Sequence, residues 1–275
     1  MLYLVATPIG NLGDITYRAV EILQGCDEIW CEDTRQTAKL LNHLSIKKTL
    51  VSCHEYTQKE KAPQLLEKLR AGLKIAYVSD ACMPGISDPG AVLVRACMEA
   101  GLPYTVLPGP SAVLTAAVLS GLPLDRFTFF GFLPREGMER KKALNDLSAC
   151  GCTAILYENP HRVKDTLNDV LAVAGDCPCA LVRELSKVHE SCQRGLVSEV
   201  LAGLRSEVKG ECVLLFHIPP RTEDAPSAAQ VDDLLLRLMD HMTLKDAARE
   251  AAEALKLPKK QVYARALEVK NRRNE

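Results

Sequence analysis

From its first residues the chain alternates short apolar runs, rich in β-branched side chains, with longer segments of helical spacing. Leu2 to Ala6, Glu28 to Cys31, Thr49 to Ser52, Ile75 to Val78 and Tyr104 to Leu107 read as strands. Segments near 16–24, 34–43, 60–71 and 89–100 read as helices, with Leu65, Leu66 and Leu69 marking one buried stripe. Such alternation leaves few folds open: it demands a mostly parallel sheet with helices on its faces. In that sheet every strand ends on the same edge, so the loops that follow the strands converge there.

The rhythm changes after Gly121-Leu122-Pro123. Arg126 to Phe132, Thr153 to Tyr157, Ala180 to Arg183, Leu196 to Ser198 and Cys212 to Ile218 read as strands, with helices only near 138–149 and 161–173. Strands that follow each other so closely predict a mixed α+β second domain. Residues 218–229 are Pro-rich and charged, a linker by composition. Beyond them Thr243 caps a helix carrying Leu244, Ala247, Ala248, Ala251 and Leu255, and Pro258 opens a second one, which suggests a helix-turn-helix-like tail. The expected division is therefore residues 1–114, residues 115–220 with a cleft against the first part, and a linker plus basic helical tail over 221–275.

A formal net charge of -1 excludes a globally basic nucleic-acid coat, so an anionic partner has to be met by local patches. Eleven cysteines are scattered, odd in number and never form CxxC, which predicts reduced thiols, a cytoplasmic setting and no structural metal. Met1 to Gly10 has no basic segment before its apolar run, and Ala112 to Leu124 is broken by Gly121 and Pro123. Neither a signal peptide nor a membrane span is expected.

Four turns at strand ends carry the candidate chemistry. "ATPIGNLGDIT" (6–16) ends at Thr16, a helix cap, and holds neither GxGxxG nor GxxxxGK[ST]. "WCEDTRQT" (30–37) sets Glu32, Asp33 and Arg35 just past the second strand, where Asp33 or Thr34 can cap the next helix and the carboxylates can also accept a hydroxyl proton. "SDACMPGISDPG" (79–90) divides into a strand-end turn and a helix start, with Ser87 or Asp88 as cap and Pro89 in the first turn. "LPGPSA" (107–112) ends with two residues small enough for a flat ligand to approach. In the second half, "YENPHR" (157–162) follows a strand, and "RELSKVHE" (183–190) mixes Arg183, Glu184, Lys187 and Glu190, a mixture that suits a pocket. Cations cluster at Arg135, Arg140, Lys141 and Lys142, and again at Lys256, Lys259, Lys260, Arg265, Lys270, Arg272 and Arg273, where Glu268 is the lone acid of residues 256–273. Both clusters suit phosphate contacts.

Taken in order, "ATPIGNLGDIT", "CEDTR", "SDACMPGISDPG", "LPGPSA", "GFLP", "YENPHR", "RELSKVHE" and "KGECVLL" give the chain a resemblance to the tetrapyrrole-methylase superfamily. Within it, the chain resembles the bacterial 16S ribosomal RNA 2′-O-methyltransferases that modify a cytidine of the decoding centre. The resemblance implies a two-domain α/β fold, a homodimer, and S-adenosylmethionine bound in the cleft between domains. It further implies that Pro8, Asp80, Ala81, Cys82, Ser111, Ala112, Tyr157 and Leu185 contact the cofactor. Members of the family it resembles commonly carry Gly-Thr where this chain has Cys82-Met83, so the turn either relaxes to negative φ or shapes the pocket differently.

A ribose 2′-hydroxyl is a poor nucleophile at neutral pH, so a carboxylate, or a lysine of lowered pKa, should stand within its reach. The catalytic candidates are Glu32, Asp33, Glu184 and Lys187, with Arg35 and Arg183 orienting them or holding phosphates, and the "CEDTR" group comes first. RNA contacts are expected from Arg140, Lys141, Lys142, Lys259, Lys260, Arg265, Arg272 and Arg273. The partner is then 16S ribosomal RNA or the small ribosomal subunit. Two other functions fit less of the sequence: a methyltransferase of a small tetrapyrrole, which needs no basic tail, and a non-catalytic RNA-binding or ribosome-assembly protein.

Overall fold

Five strands, β1 (Leu2–Val5), β2 (Glu28–Cys31), β3 (Thr49–Ser52), β4 (Ile75–Val78) and β5 (Tyr104–Leu107), lie where their apolar runs predict. All pair in parallel, in the order β3-β2-β4-β1-β5. The coordinates are a computed structural model that describes residues 1–204, 208–220, 228–255 and 257–274, without the side chains of 228–230, 260 and 271–274. Helices α1 (Tyr17–Gly25), α2 (Thr34–His43), α3 (Gln58–Arg70) and α4 (Ala91–Glu99) alternate with the strands. Leu2, Leu4, Trp30, Ile75 and Tyr77 pack one face of the sheet against Leu65, Leu69 and Leu93. Val5, Ile29, Cys31, Ala76 and Val78 pack the other against Ala19, Leu23 and Leu41. Burial on both faces explains why β1, β2 and β4 read as continuous apolar runs, and each fully buried leucine contributes roughly 1.5–3 kcal/mol.

The helix caps explain where the turns stop. Thr16 accepts from the Ala19 N–H at 3.1 Å, and Asp33 accepts from the Arg35 N–H at 2.8 Å. The expected cap of α4 is different: Gly90 holds the N-cap position with no side-chain bond, and Pro89 lies outside the helix. Neither Ser87 nor Asp88 caps it, so the Asp88 carboxylate is left for other use.

The second sheet has strands β6 (Phe127–Phe132), β7 (Thr153–Glu158), β8 (Pro178–Arg183), β9 (Ser191–Leu196) and β10 (Cys212–His217) in the order β6-β7-β10-β8-β9. Only β6 and β7 run parallel; the remaining pairs are antiparallel, giving the expected mixed sheet. Helices α5 (Ala112–Ser120), α6 (Gly137–Ser148), α7 (Val163–Ala174) and α8 (Val197–Ala202) accompany it. Two readings are corrected here. Leu196 to Ser198 is not a strand: β9 lies earlier, in the polar run Ser191–Leu196, and Val197 already begins α8. Ala112 to Ser120 is a helix, which its uniformly apolar sequence conceals because it offers no polar face to mark a period.

Helix α5 joins the two halves. Val113, Ala116 and Ala117 pack with Ile155, Ala180, Val182, Val213 and Leu215 of the second sheet, and Ile9 and Cys82 from first-sheet turns share that cluster. A division at residue 114 thus falls inside α5, and Met1–Pro220 forms one compact unit.

Arg221–Glu275 forms a separate unit. Within it α9 (Ala228–Met239), α10 (Leu244–Ala254) and α11 (Lys259–Asn274) surround Val231, Leu235, Ala248, Ala251, Val262 and Ala266, making three helices instead of the two expected. Thr243 caps α10 as expected, accepting from the Asp246 N–H at 3.3 Å. Residues 221–227 of the expected linker, and Lys256, lie outside the described residues. All eleven cysteines are free thiols, and no described helix is long and apolar enough to cross a membrane.

Candidate active site

Strands β1 and β4 are neighbours, yet the chain leaves them in opposite directions, from β1 toward β2 and from β4 toward β5. Such a reversal opens a crevice at the carboxyl edge of a parallel sheet. The two turns are tied where Thr7 and Cys82 exchange backbone hydrogen bonds of 3.0 Å. Cys82 keeps a φ of +73°, so the turn does not relax, although a β-carbon there costs about 1–2 kcal/mol. Its buried thiol accepts a 3.4 Å hydrogen bond from the Ala112 N–H at the start of α5.

Above this edge lies a cavity of about 350 Å³. First-sheet turns supply Ile9, Ala81, Cys82, Ile86, Ser87 and Asp88; the second half supplies Phe132, Tyr157 to Pro160, Leu185 and Gly210 to Val213. Of the expected cofactor contacts, Ala81, Cys82, Ala112, Tyr157 and Leu185 line it. Pro8, Asp80 and Ser111 are not part of the lining. Ser111 caps α5 at 3.4 Å from the Leu114 N–H, and Asp80 accepts from the Asp33 N–H at 3.0 Å. Gly210 to Val213 arrive because β10 runs antiparallel to both neighbours, placing Cys212 opposite Glu158 and Arg183. No local sequence signal announces that, since it depends on pairing direction.

The halves meet closely at Gly10. A β-carbon there would stand 2.5 Å from the Leu185 carbonyl oxygen, so glycine lets the β1 turn abut the loop that presents Leu185. That loop is held by Glu184, which accepts from the Glu211 N–H at 2.8 Å and from Lys187 Nζ at 3.0 Å. The Glu211 N–H and Lys187 pull the Glu184 pKa down. For Lys187, burial opposes its charge, but Glu184 and Glu211, the latter at 3.1 Å, outweigh it and raise its pKa. Lys187 is therefore held as an ammonium, the opposite of the lowered pKa a lysine base requires. Arg183 donates to the Lys209 carbonyl at 3.1 Å.

The four acids near the crevice divide by environment. Asp33 is clamped by Arg35 at 2.6 Å, which takes its pKa down to about 2. Burial raises Glu32, with Asp80 adding to it, and burial also raises Asp80 against the bond from Asp33. Asp88 is pushed up to about 6 by burial and then by Glu32, with the Ser79 hydroxyl beside it. Of these four only Asp88 lines the cavity, and it is a residue the capping pattern in the sequence disguised. Glu158, also in the lining, accepts from Thr166 Oγ1 at 2.6 Å and the Asn159 N–H at 2.8 Å.

The expected RNA contacts separate in the same way. Arg140 is a strut: its guanidinium donates to Asp169 at 2.7 and 2.9 Å, to Thr166 Oγ1 at 3.0 Å and to the Pro134 carbonyl at 3.0 Å. Arg265 likewise ties α11 to α9, bonding both Asp232 oxygens at 2.6 and 2.7 Å, and reaches Glu268 at 2.7 Å. Lys141 and Lys142 are exposed, and Lys259 pairs with Glu253 at 3.4 Å. The side chains of Lys260, Arg272 and Arg273 lie outside the described residues.

The lining fits the cofactor that the sequence implies. Apolar walls from Ile9, Ile86 and Leu185 suit a purine, the carboxylates suit a sulfonium, and the buried Tyr157 hydroxyl lacks a partner of hydrogen-bond geometry among the described residues. No cluster of three or more metal-ligating side chains occurs among the described residues.

Comparison with known proteins agrees with this geometry. Residues 1–201 match the model of the tetrapyrrole (corrin/porphyrin) methylases, and residues 225–270 match the RsmI C-terminal HTH domain. Among solved structures, the methyltransferase CobJ superposes with a TM-score of 0.61 at 18% identity, over 79% of this chain and 93% of that one. Uroporphyrin-III C-methyltransferase from Thermus thermophilus, complexed with S-adenyl homocysteine, gives 0.57 at 20% identity, over 78% of this chain and 96% of that one. These define the class, a two-sheet methylase fold. The ribosomal RNA small subunit methyltransferase I of Synechocystis sp. is 44% identical over 98% of both chains, and that of Halalkalibacterium halodurans is 41% identical over 95% of this chain and 93% of that one. The chain belongs to the tetrapyrrole methylase family and, within it, to the bacterial RsmI-type ribosomal RNA methyltransferases.

Proposed function

We propose that the chain methylates the ribose 2′-hydroxyl of a cytidine in 16S ribosomal RNA, using S-adenosylmethionine. The observation that carries this is the cavity at the β1/β4 crevice, built from both sheets in a chain nearly full-length similar to ribosomal RNA small subunit methyltransferases. When bound, S-adenosylmethionine supplies an electrophilic methyl group. Leu185, Tyr157 and Ala112 would hold it, and the tied Thr7–Cys82 turns fix the position of Cys82 in the lining. The acceptor oxygen has to stand about 3–3.5 Å from the methyl carbon in line with the breaking bond, and such positioning accounts for much of the acceleration.

Asp88 is the residue placed to take the proton that the acceptor hydroxyl loses. It faces the cavity, has no cation partner among the described residues, and titrates near 6, close enough to neutrality to be both ionised and basic. Glu32 acts behind it by raising its basicity. Asp33 and Arg35 brace the turn, while Glu184 and Lys187 brace the Leu185 loop. We read the two sheets as two domains around the cofactor, with residues 221–275 as an RNA-binding tail, in a cytoplasmic homodimer.

Tritiated methyl transfer from S-adenosylmethionine to small-subunit RNA or particles tests the reading. Incorporation that disappears when the target nucleotide is 2′-deoxy is expected. Transfer to a corrin precursor with none to RNA would replace it by the tetrapyrrole reaction, and no transfer at all would favour a binding protein.

A further inference from the structure

Beside the cofactor cavity lies a second hollow of about 620 Å³, lined by Phe132, Leu133, Arg135, Asn159, His161 and Arg162. Phe132 and Asn159 belong to both linings, so the two spaces share a wall. Their charges differ. The cofactor cavity shows Asp88, Glu158 and Glu211, whereas the neighbouring hollow shows two arginines, one histidine and no acid. Between them stands Phe132, an aromatic ring left 57% exposed at the end of β6, with its centroid 5.5 Å from the Tyr157 ring.

The cations are held from below. Glu158, with a fully buried carboxylate, bonds the Asn159 N–H and Thr166; Thr166 and Asp169 bond Arg140; Arg140 and Arg162 both donate to the Pro134 carbonyl. This network fixes the turn 133–135 and the turn 159–162 that form the walls. Arg135 and the His161 ring are exposed, and neither side chain makes a hydrogen bond or ion pair with another side chain or backbone group among the described residues. An exposed ring next to a guanidinium and an imidazole with free N–H donors is the surface that single-stranded nucleic acid binds, with a base on the ring and phosphates on the donors.

We propose that this hollow is the substrate-strand site: Phe132 stacks a base of the acceptor RNA, and Arg135 with His161 holds the adjoining phosphates. The inference rests on the proposed reaction for its direction, since stacking on Phe132 delivers a ribose to the mouth of the cofactor cavity. It also accounts for the "GFLP" and "YENPHR" stretches, which cofactor binding leaves partly unexplained. The acceptor has to be single-stranded or unstacked at that point, because a paired base presents no face to the ring.

The test measures binding of a fluorescein-labelled single-stranded oligoribonucleotide of about ten nucleotides by anisotropy, alongside calorimetric titration with S-adenosylmethionine. Phe132→Ala should weaken RNA binding roughly 10- to 100-fold, and Phe132→Trp should restore it, because stacking needs a ring and not a phenylalanine. The Arg135→Ala/His161→Ala pair, which lines only the second hollow, should weaken RNA binding and flatten its salt dependence by about one phosphate contact or more. Cofactor affinity of that pair should stay within about twofold of wild type. RNA affinities unchanged in both Phe132→Ala and the pair would overturn the proposal. Because binding is read without turnover, failure of the methylation reaction itself would show separately, as loss of transfer by the wild-type protein.

Discussion

The two sheets reach one cavity by different routes. In the parallel sheet every strand ends on the same edge, so the turns after β1, β4 and β5 converge automatically, and they bring acids and a strained backbone turn. In the mixed sheet only some ends face that edge. The finish of β6, β7 and β8 meets the start of β10, and together they bring aromatics, the Leu185 loop and the cations beyond Phe132. The first region supplies the proton acceptor and the floor; the second supplies the walls and the approach of the substrate. Neither encloses a site alone, which makes the contacts between them the places to perturb.

The largest effect is expected from Arg140→Ala in the second region. It leaves Asp169 without its donor and the Pro134 carbonyl with Arg162 as its remaining guanidinium donor, and loss of one partner from a part-buried ion pair should cost about 2–3 kcal/mol after discounting for the exposure of Asp169. Urea denaturation measures it. Lys141→Ala on the same helix should change stability by less than about 0.5 kcal/mol. Equal effects would mean that Arg140 is the surface cation its sequence context suggests.

Next comes Gly10→Ala, at the seam between the regions. The added methyl meets the Leu185 carbonyl at 2.5 Å, so the loop has to move, at about 1–3 kcal/mol. Since Leu185 lines the cavity, cofactor affinity should fall with it, roughly tenfold, by calorimetric titration. A normal affinity in this variant would show that the Leu185 loop does not shape the cofactor site.

Cys82→Gly should be the mildest. Glycine removes the left-handed strain but also the thiol that accepts from Ala112, so the net change in stability should stay within about 1 kcal/mol. The effect on cofactor affinity should be a few-fold at most. A tenfold gain would show that the thiol obstructs the cavity.

The difference between the regions also governs what could be read in advance. Strands β1, β2 and β4 were legible because burial on both faces writes apolar runs, the edge strands β3 and β5 because β-branched residues mark them, and the turns because Thr16 and Asp33 cap as their sequence context predicts. Ala81, Cys82, Ala112, Tyr157 and Leu185 followed from a family resemblance and do share one cavity. Three features stayed hidden for physical reasons. Helix α5 has no polar face to betray its period, and β9 is a polar edge strand that borrows its geometry from β8. Asp88 sits where a cap belongs, yet Gly90 takes the N-cap position and leaves the carboxylate facing the cavity. Arg140 and Arg265 show the converse: a cluster of cations along the chain conceals those whose donors are already used inside the protein.

Asp88 carries the central claim, and its raised pKa gives it two separable signatures. A carboxylate whose folded pKa is near 6, above the unfolded value of 3.8, favours the fold at acid pH and loses that contribution as pH rises through 6. Asp88→Asn should therefore be more stable than wild type at pH 8, by about 1 kcal/mol once solvent screening is allowed for, and gain nothing at pH 4. The most direct measurement is single-turnover methyl transfer to small-subunit particles at saturating cofactor, from pH 5 to pH 9, in wild type and Asp88→Asn. Wild-type rates should climb with pH to a plateau, with an inflection below the cofactor-free value of about 6 because a bound sulfonium favours the carboxylate, and the variant should run about 100-fold or more slower with that inflection gone. A variant that keeps both the rate and the inflection would contradict the assignment of Asp88 as the group that takes the proton.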